Sequence, residues 1–124
     1  EKHDVKAWIW SDLIWHYPDE FLEKMPSSVI QSNWYYGRDF SNDITAVNAY
    51  NLLSNNGFKQ IPTSSNWSCC EGLLNTVKYF KNMNSNENLL GFMQTVWKPT
   101  LEERRHRHFD AIQTAGQAKE YWEK

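Results

Sequence analysis

With 124 residues the chain is long enough for one ordinary domain, and holds about half of the roughly 250 residues of an eight-unit strand-helix barrel. Its 13 basic and 15 acidic side chains leave a formal net charge of −2, so nothing in the balance argues for nucleic acid or an anionic membrane surface as a partner. No apolar stretch approaches the about 20 residues that span a bilayer, and the two cysteines, Cys69 and Cys70, are adjacent, which suits neither a disulfide between them nor a zinc site.

Residues 6–12 alternate as a strand, with Trp8, Trp10 and Asp12 on one side and Ala7, Ile9 and Ser11 on the other. The strand follows EKHD almost at once, with no leader and no initial Met, so the expectation is a piece of a longer chain. A short helix comes next. Pro18 suits its first turn, Asp19 and Glu20 favour the same end through the helix dipole, and Pro26 stops it. Phe21, Leu22 and Met25 supply its buried stripe. The second strand covers 29–35, and Gly37 with RDFSND forms a loop.

A helix over 43–54 carries Ile44, Val47 and Leu53 on one face, and NNG at 55–57 stops it, with Gly57 free to turn left-handed. The third strand runs over 58–64, where Pro62, lacking an N–H, predicts a strand end or a bulge. Ser68 and Glu71 have the spacing of a capping box, ahead of a helix carrying Leu73, Leu74, Val77 and Phe80. Residues 82–88 read as a polar loop and 89–97 as the fourth strand. Thr100 and Glu103 repeat the capping-box spacing before the longest helix. Leu101, Arg105, His108, Phe109, Ile112, Ala115 and Trp122 fall near one stripe of it. The run ERRHRH at 103–108 reads as a solvated helix face, since Glu102 and Glu103 balance its first turn.

Strand and helix thus alternate about every 30 residues, one strand-plus-helix unit at a time. No change of composition marks a second domain. The expected fold class is α/β: a single domain of four units, half of a TIM barrel, with parallel strands and helices outside. Right-handed crossovers would place every strand's C-terminal end on one rim. Each strand segment also ends in tryptophan beside a small polar residue: Trp10 with Asp12, Asn33 with Trp34 and Tyr35, Asn66 with Trp67, and Gln94 with Trp97.

That pairing is the chemistry of a sugar surface. The apolar face of a pyranose packs on an aromatic ring while its hydroxyls need fixed polar partners. Trp34, Tyr35, Trp67 and Trp97 are the ring candidates, and Asn33, Asn66 and Gln94 the hydrogen-bonding ones. Core packing of the rings and internal satisfaction of the amides is the competing reading. Asp12 is the one acid at a strand's C-terminal end; it could accept from sugar hydroxyls or cap the next turn. Hydrolysis of a glycosidic bond usually takes two flanking carboxylates, and Asp39 and Asp43 read as turn and helix-cap residues. No catalytic residue is therefore assigned. His16 has no second histidine at ligand spacing, and His106 and His108 do not share a helix face, so no metal and no other cofactor is expected.

The stretch WIWSDLIWHYPDEFLEKMPSSVIQSNWYYG resembles the later strands of the family-twenty-type glycoside hydrolases, the beta-hexosaminidase superfamily, and of uncharacterised gut-bacterial relatives. The resemblance is most specific over residues 8–37 and extends, more weakly, over the chain as the C-terminal half of the barrel. It implies retaining hydrolysis of terminal N-acetylhexosamine assisted by the substrate's acetamido group, and an extracytoplasmic location. The family's catalytic Asp-Glu pair ends an earlier strand, which is not in this sequence. Sugar contact is what carries over, to Trp10, Asp12, Tyr35, Trp67 and Trp97; where the family has an acid after the last tryptophan, this chain has Lys98 and Pro99. A half barrel also leaves two open sheet edges and an uncovered inner face, which predicts self-association. The rival expectation is a non-catalytic carbohydrate-binding or structural α/β domain.

Overall fold

The computed structural model describes His3, residues 5–83 and residues 86–124. Four short strands alternate with four helices. In chain order they are β1 (Trp8–Trp10), α1 (Pro18–Lys24), β2 (Ile30–Ser32), α2 (Thr45–Asn55), β3 (Thr63–Ser65), α3 (Gly72–Lys81), β4 (Met93–Thr95) and α4 (Arg105–Glu123). The fold is mixed α/β, and both strand pairs are parallel: β1 with β2, and β3 with β4. The chain divides into two compact units. The first takes the described residues of 1–34, 41–62 and 85–91; the second takes those of 35–40, 63–84 and 92–124.

In the first unit β1 lies beside β2 with Trp8 opposite Ile30 and Trp10 opposite Ser32. Single parallel bridges continue the ladder from Gln31 to Gln60 and from Gln60 to Leu89. The four strand segments are therefore neighbours in sequence order here. The third segment breaks after Gln60 because Pro62 has no N–H to give the ladder, as its position predicts. The fourth breaks between Leu89 and Met93, where Gly91 takes φ 156°, a conformation a side chain rarely adopts. The core of this unit packs Phe21 of α1 and Ile14 against Ala49 and Leu53 of α2 and Phe58, with Leu22, Met25 and Trp15 at its margin. Gly57 ends α2 with φ 74°, the left-handed stop that NNG announces.

In the second unit β3 pairs with β4, Thr63 opposite Met93 and Ser65 opposite Thr95. One further backbone bond, Tyr35 N–H to Thr63 O at 3.3 Å, carries the pairing to the end of the second segment. Leu73 and Val77 of α3 pack on Ala118 of α4, with Leu74, Phe92 and Ala115 beside them. Gly72 is what lets α3 sit this close to β3: a Cβ there would lie 2.5 Å from Ser65 O and 2.7 Å from Ser64 Oγ.

Several expectations need correcting. The strands are three residues long where seven to nine were expected, and Asp12 opens a 3-10 turn, Asp12–Trp15, instead of ending β1. Neither capping box forms. Ser68 Oγ donates to Tyr36 O at 2.6 Å, and the N-cap of α3 is Glu71, with no side-chain cap bond. The second box is displaced by a 3-10 turn, Glu102–Arg104, that leads directly into α4. The buried stripe of α4 is Ala111, Thr114 and Ala118, leaving Phe109 and Ile112 exposed by 62% and 68%. Small residues on that stripe suit a close helix pair, and large ones would hold α3 off. The loop expected at 82–88 is a loop at its described positions; residues 84 and 85 lie outside the described residues.

Candidate functional site

Trp10, Asp12, Asn33 and Trp34 belong to the first unit, and Tyr35, Trp67, Gln94 and Trp97 to the second. Each group is brought together differently. In the first unit the polar groups at the strand ends bond to one another. Trp15 Nε1 donates to Asn33 Oδ1 at 2.8 Å, and Asn33 Nδ2 donates to Ala46 O in the first turn of α2 at 2.7 Å. Trp34 meets Trp15 edge-on, centroids 4.5 Å apart. Trp8 Nε1 donates to Ser32 Oγ at 2.8 Å, which donates to Ile61 O at 2.7 Å. Ser11 Oγ donates to Gln31 Oε1 at 2.9 Å. Asn33 is fully buried with both ends of its amide engaged. Trp10 and Asp12 stay exposed.

The second unit keeps its strand-end rings open. Three of its loops carry these residues: 35–40, 66–71 after β3, and 96–101 after β4. They are tied to one another by a few hydrogen bonds. Trp97 Nε1 donates to Tyr36 OH at 2.8 Å, joining the last loop to the first. The Ser68 bond to Tyr36 O joins the middle loop to the first. Asn66 Nδ2 donates to Arg107 O at 2.8 Å, and Arg107 Nη2 donates back to Asn66 O, which pins the middle loop to the first turn of α4. His108 Nε2 lies 3.3 Å from Pro99 O on the last loop.

Within this frame Trp67 and Trp97 remain 53% and 52% exposed. Lys98 brings its Nζ to 4.0 Å from the centroid of the Trp67 ring. Trp97 is the one non-glycine residue with positive φ among the described residues, at 54°. Such a conformation costs a bulky side chain about 1–2 kcal/mol and persists where neighbouring contacts enforce it. The indole bond to Tyr36 is one such contact. Asn66 Oδ1 is buried with no hydrogen-bond donor facing it.

Tyr35 and Gln94 take other places in the same unit. Tyr35 packs edge-on against Phe40, centroids 5.2 Å apart, and Phe40 against Tyr79. Burial first, and then the Asp39 carboxylate, push the Tyr35 phenol above its ordinary value. Gln94 lines a cavity of about 260 Å³ with Leu73, Val77, Phe92, Ala115, Ala118, Lys119 and Trp122, facing α3 and α4. Its Nε2 donates to Thr95 O at 3.2 Å, and its Oε1 is buried without a donor.

Sequence reasoning did not single out Tyr36, read Arg107 as part of the solvated face ERRHRH whereas it is half-buried against Asn66, and read Lys98 only as a departure from a family pattern. Alternation along the doublet Tyr35-Tyr36 separates the two rings, one to the Phe40 cluster and the other to Trp97. That signal was present in the sequence. The return of Arg107 from the last helix to Asn66 had no local signal. No group of three or more His, Cys, Asp or Glu residues that could hold a metal occurs among the described residues. Cys69 is buried and Cys70 exposed, both as free thiols. No described helix is long and apolar enough to cross a membrane. Comparison with protein-family models, with curated proteins and with solved structures found no match to the chain.

Proposed function

We propose that the chain is the C-terminal half of a TIM barrel of the family-twenty glycoside hydrolase type, and that it supplies aromatic sugar contacts without the catalytic acid pair. The observation that carries the reading is the trio of cross-tied strand-end loops holding Trp67 and Trp97 half in solvent, with Trp97 in a strained backbone conformation. Large exposed rings carried on hydrogen-bonded loops make a stacking platform, and the Trp97 indole is further held by its bond to Tyr36. The orientation of that ring is set before the ligand arrives, so little ordering cost attends its part in binding. Asn66 Oδ1, a buried acceptor without a donor beside Trp67, adds a polar group that small rearrangement could offer to a hydroxyl. Sequential parallel neighbours in the first unit support the barrel half of the proposal.

The same reading expects association of the chain with itself. Trp8 and Trp10 on β1, and Phe109 and Ile112 on α4, are exposed apolar residues of the kind that complementary halves would cover.

The test is a titration with N-acetylglucosamine and with glucose, followed by the indole N–H resonances. A partial site binds weakly, in the millimolar range, about −4 kcal/mol. Trp67→Ala should abolish the response, whereas Trp122→Ala, on α4, should leave it. Loss in both variants, or in neither, would return the tryptophans to a purely structural role. A chromogenic N-acetylglucosaminide should not be turned over by the chain alone. Turnover lost in Asp12→Ala would instead make this carboxylate catalytic.

The rival, a non-catalytic carbohydrate-binding domain, shares the platform and differs in needing no second half. A monomer that binds as tightly as any longer form of the protein would favour it.

A further inference from the structure

We propose that the Trp67–Trp97 platform selects an acidic saccharide, one carrying a carboxylate such as a uronic acid, and that Lys98 is the residue that makes the selection. The inference rests on the sugar-binding reading above and adds the charge of the ligand. Its starting point is the ammonium of Lys98, 4.0 Å from the Trp67 centroid. A cation–π contact at a solvent-exposed ring is weak. It is enough to place the ammonium over the ring and too little to hold it there against a carboxylate. The ion pairs among the described residues are Lys24–Glu20, Arg105–Glu102 and Lys119–Glu123, so neither Lys98 nor Arg107 has an acidic partner. Arg107 reaches the same loop, with one guanidinium nitrogen on Asn66 O. The platform is thus flanked by two cations and by no paired carboxylate.

The position of Lys98 gives the selection a mechanism. A sugar that stacks on the covered face of Trp67 must displace the ammonium. A neutral sugar offers it only hydroxyl oxygens in return. A uronate offers an acceptor of opposite charge, which adds direct Coulomb attraction to the hydrogen bond. The side chain then moves from ring to carboxylate without losing its partner. The long, flexible stem of lysine suits this exchange, which a rigid guanidinium fork would make less readily.

The experiment is a pair of titrations on the full chain, with methyl β-D-glucuronide and with methyl β-D-glucoside, read on the indole N–H resonances of Trp67 and Trp97. The glucuronide should bind about ten-fold more tightly at low salt, and the gap should narrow as salt screens the exposed charge. Lys98→Met, which keeps the length and apolar stem, should bring the glucuronide down to the glucoside's affinity. Trp67→Ala should weaken both. Equal affinities for the two glycosides, or a preference untouched by Lys98→Met, would overturn the charge selection while leaving the platform standing. A glucuronide response that survives Trp67→Ala would overturn it as well, reducing it to diffuse charge attraction. No response to either glycoside would overturn both the selection and the sugar-binding reading beneath it.

Discussion

The dipeptide Asn-Trp occurs twice, at 33–34 in the first unit and at 66–67 in the second, and the two copies meet opposite fates. Both asparagines donate their amide N–H to a carbonyl in the first turn of a helix, Asn33 to Ala46 O and Asn66 to Arg107 O. There the likeness stops. Asn33 Oδ1 accepts from the Trp15 indole, and Trp34 packs against that same indole. Asn66 Oδ1 accepts nothing, and Trp67 lies in solvent beneath a lysine. One residue accounts for much of the difference. Trp15 supplies the first copy with both a donor and a packing surface. Among the described residues the second copy has no counterpart to it, so its acceptor and its ring are left over. A motif repeated for one structural purpose can in this way become available for binding wherever its partner is missing.

The largest expected effect tests that contrast directly. Asn33→Ala leaves the half-buried Trp15 indole N–H and Ala46 carbonyl without their partner. The cost should be about 2–3 kcal/mol by denaturant unfolding. Asn66→Ala removes one bond but also an acceptor that had no donor, so its cost should be about 1 kcal/mol or less. Equal losses would mean that the Oδ1 of Asn66 is satisfied in solution, and the comparison would break.

The rings give the next effect. Trp34→Gly loses an edge-on partner and a half-buried ring, at about 2 kcal/mol. Trp97→Gly loses an exposed ring and one hydrogen bond, but glycine takes φ 54° without strain. The two changes should nearly offset, leaving stability within about 1 kcal/mol of the parent. Any sugar response at Trp67 should be weakened in Trp97→Gly, so stability and binding separate at this position. A Trp97→Gly variant as unstable as Trp34→Gly would place Trp97 in the core of its unit.

The sequence made the alternation of elements plain, because each has a local cause. Pro18 and Pro26 bound α1, Gly57 stops α2, and Pro62 interrupts the third segment. All act through their own backbone. Caps were less legible. The spacing of Ser68 and Glu71 permits a capping box, but Tyr36 O offers the Ser68 hydroxyl a bond from another loop. The stripe of α4 was misread for a similar reason. Apolar size marks Phe109 and Ile112, whereas close packing on α3 selects Ala111 and Ala118. At the site, strand-end tryptophans were visible as a repeat, but which of them stay open depends on Trp15 and Tyr36, which engage Trp34 and Trp97, and on Arg107, which engages Asn66, all distant in sequence from their partners. Tertiary partners of that kind leave no periodic trace.

The smallest expected effect is a pH dependence in the second unit. Tyr35 sits at the junction between the Phe40 cluster and the loop that carries Tyr36. Burial disfavours its phenolate, and Asp39 adds like-charge repulsion, so its folded pKa lies above the ordinary 10.0. The neutral phenol is retained in the folded chain when the unfolded chain has begun to lose it. Above the unfolded value the folded state then binds more protons, and stability falls as pH rises. The contribution should be fully present below pH 10.0 and decline from there through the folded pKa. Tyr35→Phe, which keeps the ring against Phe40, should remove that part of the alkaline decline and change little at neutral pH. Asp39→Asn removes the lesser of the two causes, so the decline should still begin at pH 10.0 but end at a lower pH and be smaller, without being abolished. Ultraviolet phenolate titration of the parent and the two variants, with unfolding followed in parallel, reads both effects. A decline identical in the parent and in Tyr35→Phe would assign it to other tyrosines or to the lysines, and leave Tyr35 as packing alone.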